Sequence, residues 1–128
     1  MAYTYNRILR DLDIDEAETR IRNALADNGF GVLTEIDVAA TMKAKLGVDI
    51  APYRILGACN PTMVHEAIGL ESRIGTMLPC NVILRQVEEG VEIGVIDPVA
   101  SMQAVENKDL HPIADLGREL LENAVNAA

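Results

Sequence analysis

An α+β two-layer sandwich is the fold the sequence predicts, with a mainly antiparallel sheet and helices on one face. Two observations lead there. Strand-like and helix-like patterns are interleaved along the chain, and each helical stretch carries a single apolar stripe. Residues 81–87 and 91–96 read as two strands joined by the turn Glu88-Glu89-Gly90, a hairpin that no wholly parallel sheet contains. That hairpin counts against the competing arrangement, a flavodoxin-like parallel sheet.

The elements follow in order. Residues 2–9 form a first strand. Asp13-Ile14-Asp15-Glu16 is a capping box, in which Asp13 accepts a backbone N–H and Glu16 reaches back. Ile14, Ala17, Ile21, Ala24 and Leu25 then recur at helical spacing, and Gly29 ends that helix. Phe30, Val32, Thr34 and Ile36 alternate as one face of a second strand, with Leu33 opposite. Asp37 caps a short helix carrying Val38, Met42 and Leu46, which Gly47 stops. A third strand spans 53–59. Asn60-Pro61 supplies an N-cap followed by proline at the first helical position, and Val64, Ala67 and Ile68 lie along the helix it opens. After the hairpin, Asp97-Pro98 repeats that start and opens a short helix with Val99, Met102 and Val105. A last helix begins near residue 109, with Ile113, Leu116, Leu120 and Ala124 on one face.

A chain of 128 residues fits one domain over 1–128, large enough to build a core without staples. Aromatics are confined to Tyr3, Tyr5, Phe30 and Tyr53, so aliphatic residues must fill that core. The net charge of −9 repels phosphate backbones and anionic lipid surfaces, and four aromatics offer few stacking platforms. Nucleic-acid and membrane partners are disfavoured on those grounds. No apolar stretch reaches the length of a membrane span, and residues 1–10 lack a charged start followed by an apolar run. Two cysteines without a secretory signal fit a reducing, cytoplasmic setting.

Those two cysteines hold the chemistry. They stand in near-mirror contexts, Ala58-Cys59-Asn60-Pro61 and Leu78-Pro79-Cys80-Asn81. Cys59 ends a strand just before a helix N-terminus, where exposed N–H groups stabilise a thiolate. Cys80 opens the next strand and alternates with Val82 and Leu84. If those strands are antiparallel neighbours, both sulfurs meet at one edge of the sheet. His65 is the titratable residue near Cys59 in sequence. Cys59, Cys80 and His65 then supply three donors for zinc or copper, with Glu66 or water as a fourth. Met63 and Met77 flank the region with soft thioethers. The same place offers a small-anion site at the helix N-terminus, helped by Arg54 or Arg73, and Asn60 and Asn81 are further candidate ligand contacts.

Each residue also has a plainer reading. Free cysteines are among the most buried side chains, methionine fills gaps in cores, and a strand arginine pairs with nearby carboxylates. A Cys59–Cys80 disulfide is disfavoured in a reducing setting. Three functions remain open. One is binding of a small ligand or soft metal at the cysteine pair. The second is a thiol enzyme with Cys59 as nucleophile or redox partner and His65 as base. The third is a structural homodimeric module with packed cysteines. No nucleophile elbow, phosphate loop or dinucleotide fingerprint is present.

Several stretches together resemble domain-of-unknown-function family 302. They are Gly29-Phe30-Gly31-Val32, Glu35-Ile36-Asp37-Val38, Lys45-Leu46-Gly47-Val48-Asp49, the run from Pro52 through Arg54 to Cys59-Asn60-Pro61, Leu78-Pro79-Cys80-Asn81-Val82 and Ile96-Asp97-Pro98. The resemblance covers essentially the whole chain. It implies a fold like one repeat of the TATA-box-binding protein with extra helices, and a homodimer. It directs attention to Cys59, Asn60, Pro61, His65, Pro79, Cys80 and Asn81, but brings no established role for any of them. DNA binding does not follow from the fold likeness, and the charge opposes it.

Overall fold

In the computed structural model, which describes residues 2–128, five strands form one antiparallel sheet in the order β1-β5-β4-β3-β2. The strands are β1 (Thr4–Leu9), β2 (Gly31–Asp37), β3 (Tyr53–Cys59), β4 (Cys80–Val87) and β5 (Gly90–Ile96). The helices are α1 (Ile14–Asp27), α2 (Val38–Leu46), α3 (Pro61–Leu70), α4 (Pro98–Ser101) and α5 (His111–Ala127), with 3-10 turns between α3 and β4 and between α4 and α5. The two-layer α+β sandwich is the observed architecture.

The predicted caps set the helix starts. Asp13 accepts from Glu16 N–H at 2.8 Å, Asp37 from Ala40 N–H at 2.9 Å, and Asn60 from Met63 N–H at 3.1 Å. Each satisfies one orphan donor of a first turn. The stops are glycines with positive φ, Gly29 after α1 and Gly47 after α2, a conformation that penalises any Cβ.

The pairing register sorts the strand residues onto two faces. Ala58 pairs with Cys80, Leu56 with Val82 and Arg54 with Leu84 across β3 and β4, while Val82 pairs with Val95 and Leu84 with Ile93 across β4 and β5. This set faces the helices. Leu56, Val82, Leu84, Ile93 and Val95 are buried there with Ile21 and Leu25 of α1 and Leu121 and Val125 of α5. The other set, including Ile55, Ile83 and Ile96, is only partly covered, and Ile8 and Ile36 at the two edges are 36% and 48% exposed. Alternation along each strand makes one face of the sheet core and leaves the other open.

Two expectations are corrected. The second strand does not keep one face. A bulge at Leu33 shifts the register between Val32 and Thr34, so Val32 pairs with Ala58 on the helix side while Thr34 and Ile36 pair with Gly57 and Ile55 on the open side. An inserted residue reverses the alternation. On α5 the buried stripe is Ala114, Gly117, Leu121, Ala124 and Val125, and Leu116 is 46% exposed. Small residues at Ala114 and Gly117 let the helix approach its neighbours closely, so the stripe turns away from Leu116.

Candidate functional site

The end of β3 and the start of β4 carry the cysteines. Because Ala58, and not Cys59, stands opposite Cys80, the two thiols are offset by one residue. Successive strand side chains point to opposite faces. Cys80 therefore joins the helix side, where it packs against the core, and Cys59 joins the open face. Both are free and partly buried. Burial pushes the Cys80 thiol up to about 11, and the neighbouring Cys59 adds to the shift. Cys80 is thus a neutral thiol at ordinary pH.

On its own side of the sheet Cys80 lines an almost wholly apolar pocket of about 40 Å³. Phe30 and Ala58 border it on the sheet side. Met63, Val64 and Ala67 of α3 form one wall, and Pro98, Met102, Ile113 and Gly117 form the other. Asn60 is the one polar residue of the lining, and its Oδ1 is already occupied by the Met63 N–H. Gly117 is where α5 comes close: a Cβ there would stand 3.2 Å from Met63 Cε and 3.3 Å from Pro98 Cγ. Pro79, beside Cys80, lies over Gly57 instead, and a Cβ on Gly57 would come within 2.7 Å of the ring Cγ. Gly57 and Pro79 therefore close up the open face behind Cys59, while Cys80 faces the pocket.

The other candidate residues divide accordingly. Asn60 borders the pocket. Asn81 pairs with Gly57 on the open side and is exposed. His65 is exposed on α3; it stands two residues from both Met63 and Ala67, which puts it on the far side of the helix from the pocket. Arg54 is held by two carboxylates of α1, Asp15 at 2.7 Å and Glu18 at 3.1 Å, so it is a structural ion pair and not a pocket contact. Among the described residues, no three His, Cys, Asp or Glu side chains gather closely enough to hold a metal ion. The expected donor set of Cys59, Cys80 and His65 is not assembled, because the register separates the sulfurs and the helix turns the imidazole outward. Sequence reasoning passed over Gly117, Met102 and Phe30 as site residues. Only the Asn60-Pro61 cap, which fixes the phase of α3 and turns Met63 inward, pointed toward them.

Comparisons with known proteins agree on the fold. No curated protein matches. A crystal structure of an uncharacterised conserved protein DUF302 from Bacillus stearothermophilus superposes with a TM-score of 0.91, at 24% sequence identity, covering 99% of this chain and 98% of that one. The likeness shows the shared fold. The model of the family described as domain of unknown function DUF302 matches residues 5–128. The chain belongs to the DUF302 family.

Proposed function

We propose that the protein binds a small ligand or a soft metal ion in the pocket lined by Cys80. The observation that carries this reading is the chemistry of the lining: a thiol is the reactive group of a pocket whose single polar side chain is already used as a helix cap. Size narrows the ligand. An apolar cavity that admits benzene measures about 150 Å³, whereas this pocket measures about 40 Å³, room for a single ion or a very small molecule. Two free thiols suit a reducing compartment such as the cytoplasm. The acidic surface leaves nucleic acid and anionic membranes outside the reading, and no helix of the described residues is long and apolar enough to cross a membrane.

The test is native mass spectrometry of untagged protein purified without chelator. The expected result is a mass excess that persists in Cys59→Ser and is lost in Cys80→Ser. A mass excess lost in Cys59→Ser alone, or no excess after loading with soft metal ions, overturns the reading.

The homodimer implied by the family resemblance is a second reading, and the open sheet face favours it. Ile8 and Ile36 are exposed on that face at opposite edges of the sheet, and a second copy would cover both. An Ile8→Glu, Ile36→Glu variant is expected to sediment as a monomer where the wild type sediments as a dimer. A monomeric wild type would sink this reading.

A further inference from the structure

We infer that Cys80, Met63 and Met102 form a three-sulfur site for a single Cu(I) ion, an inference that rests on the reading of the Cys80 pocket as a ligand site. The three residues come from different elements: Cys80 from the start of β4, Met63 from the first turn of α3, and Met102 from the 3-10 turn after α4. All three line the same pocket. Met63 is turned into it, since its Cε lies against Gly117 of α5. The Asn60 cap is what sets this direction, because it starts the helix and so fixes the phase on which Met63 and Ala67 face inward while His65 faces out.

The donor set selects the metal. One thiolate and two thioethers are soft ligands, and softness favours Cu(I) or zinc over magnesium or calcium. Charge then selects Cu(I) over zinc. No charged side chain lines the pocket. A monovalent cation on one thiolate leaves a neutral centre, whereas a divalent ion would leave a net positive charge in apolar surroundings, at a large desolvation cost. Size agrees with both, since about 40 Å³ holds an ion and little else. Binding is an exchange with no change of oxidation state: the Cys80 S–H bond breaks, its proton goes to solvent, and the sulfur lone pair forms the bond to Cu(I), with each thioether donating a further pair.

The experiment is an anaerobic titration of the full chain with Cu(I) in competition with a chromophoric Cu(I) chelator. One equivalent is expected to bind. Cys80→Ser is expected to abolish binding and Cys59→Ser to leave it unchanged. Met63→Leu and Met102→Leu preserve volume, so the fold is kept, and circular dichroism confirms that for each variant. Each is expected to weaken binding by about tenfold or more, the size of effect that follows when a metal site loses part of its support. Zn(II) is expected to compete poorly. Three results overturn the assignment: no binding by the wild type, loss of binding in Cys59→Ser, or both leucine variants binding as tightly as the wild type. The last, together with loss in Cys80→Ser, would remove the thioethers while leaving the Cys80 pocket as a ligand site. A wild type that binds neither Cu(I) nor any other loaded ion, and carries no mass excess as purified, removes the pocket reading as well.

Discussion

Cys80 lies opposite Ala58 across the β3–β4 pair, and that single register step separates the two thiols of the chain. Had Cys80 faced Cys59, both sulfurs would share one side of the sheet. Instead Cys80 belongs to the pocket and Cys59 to the open face, so the two thiols should behave differently in every chemical test.

The first such test is alkylation. Burial holds the Cys80 thiol up to about 11, so little thiolate is present near neutrality and thiolate is the reacting form. With iodoacetamide near neutral pH, peptide mapping is expected to find Cys59 modified first and Cys80 lagging, with the Cys80 rate climbing as pH rises toward 11. Because the folded-state value is raised, the neutral thiol favours folding fully below the unfolded value of about 8.5, and that contribution is lost as pH rises through the folded one. Equal alkylation of the two cysteines would contradict the placement.

Gly57 is the tightest point of the open face. A methyl there would collide with Thr34 Oγ1 and come within 2.7 Å of Pro79 Cγ. Gly57→Ala is expected to cost about 1–3 kcal/mol, the range for overpacking a filled site. Chemical denaturation measures it, and an unchanged midpoint would show that Pro79 yields.

Gly117 separates stability from binding. Replacing a glycine inside a helix by alanine gains about 1 kcal/mol, but the new Cβ would press on Met63 Cε at 3.2 Å and Pro98 Cγ at 3.3 Å. The thioether end can move and the proline ring cannot. Gly117→Ala is therefore expected to melt within a few degrees of the wild type, since the two effects offset, while its affinity for Cu(I) falls. Unchanged affinity would mean that the ligand does not occupy this wall of the pocket.

Asp97 joins the pocket's far wall to α5. Its carboxylate accepts from Arg118 at 2.6 Å and 3.0 Å and from Val99 N–H at 2.9 Å. The Arg118 hydrogen bonds hold it below the ordinary carboxylate range. Because the folded value is lowered, the contribution to stability is complete above the unfolded value of about 3.9 and is lost as pH falls through the folded one. Asp97→Asn is expected to remove that acid-side dependence while keeping the cap on α4. Asp97→Ala is expected to cost about 1 kcal/mol more, the worth of the cap. Melts of both variants from pH 3 to pH 7 separate the two effects.

Local chemistry was legible in the sequence where one residue decides the outcome. Asp13, Asp37, Asn60 and Asp97 read as caps and are caps, and residues 53–59 read as a strand and are one. What one residue does not decide was out of reach. The bulge at Leu33 adds a residue to β2, and no residue type there announces it. The offset between Cys59 and Cys80 depends on how two strands separated by a helix and a 3-10 turn align, which is set by Leu56 and Val82 packing in the core and not by the cysteine motifs. The pocket is built by Phe30, Met63, Met102 and Gly117, residues distant in the chain that only the packing of α3 and α5 against the sheet brings together.

The three-sulfur site is tested by a methyl spectrum of protein labelled with 13C at the methionine methyl groups, recorded during an anaerobic Cu(I) titration. The chain has five methionines. With Cu(I) held by Cys80, Met63 and Met102, the Met63 and Met102 signals are expected to shift together and saturate at one equivalent, while those of Met42 and Met77 stay in place. Shifts at Met77 in place of Met102, or no shift at Met63, would contradict it.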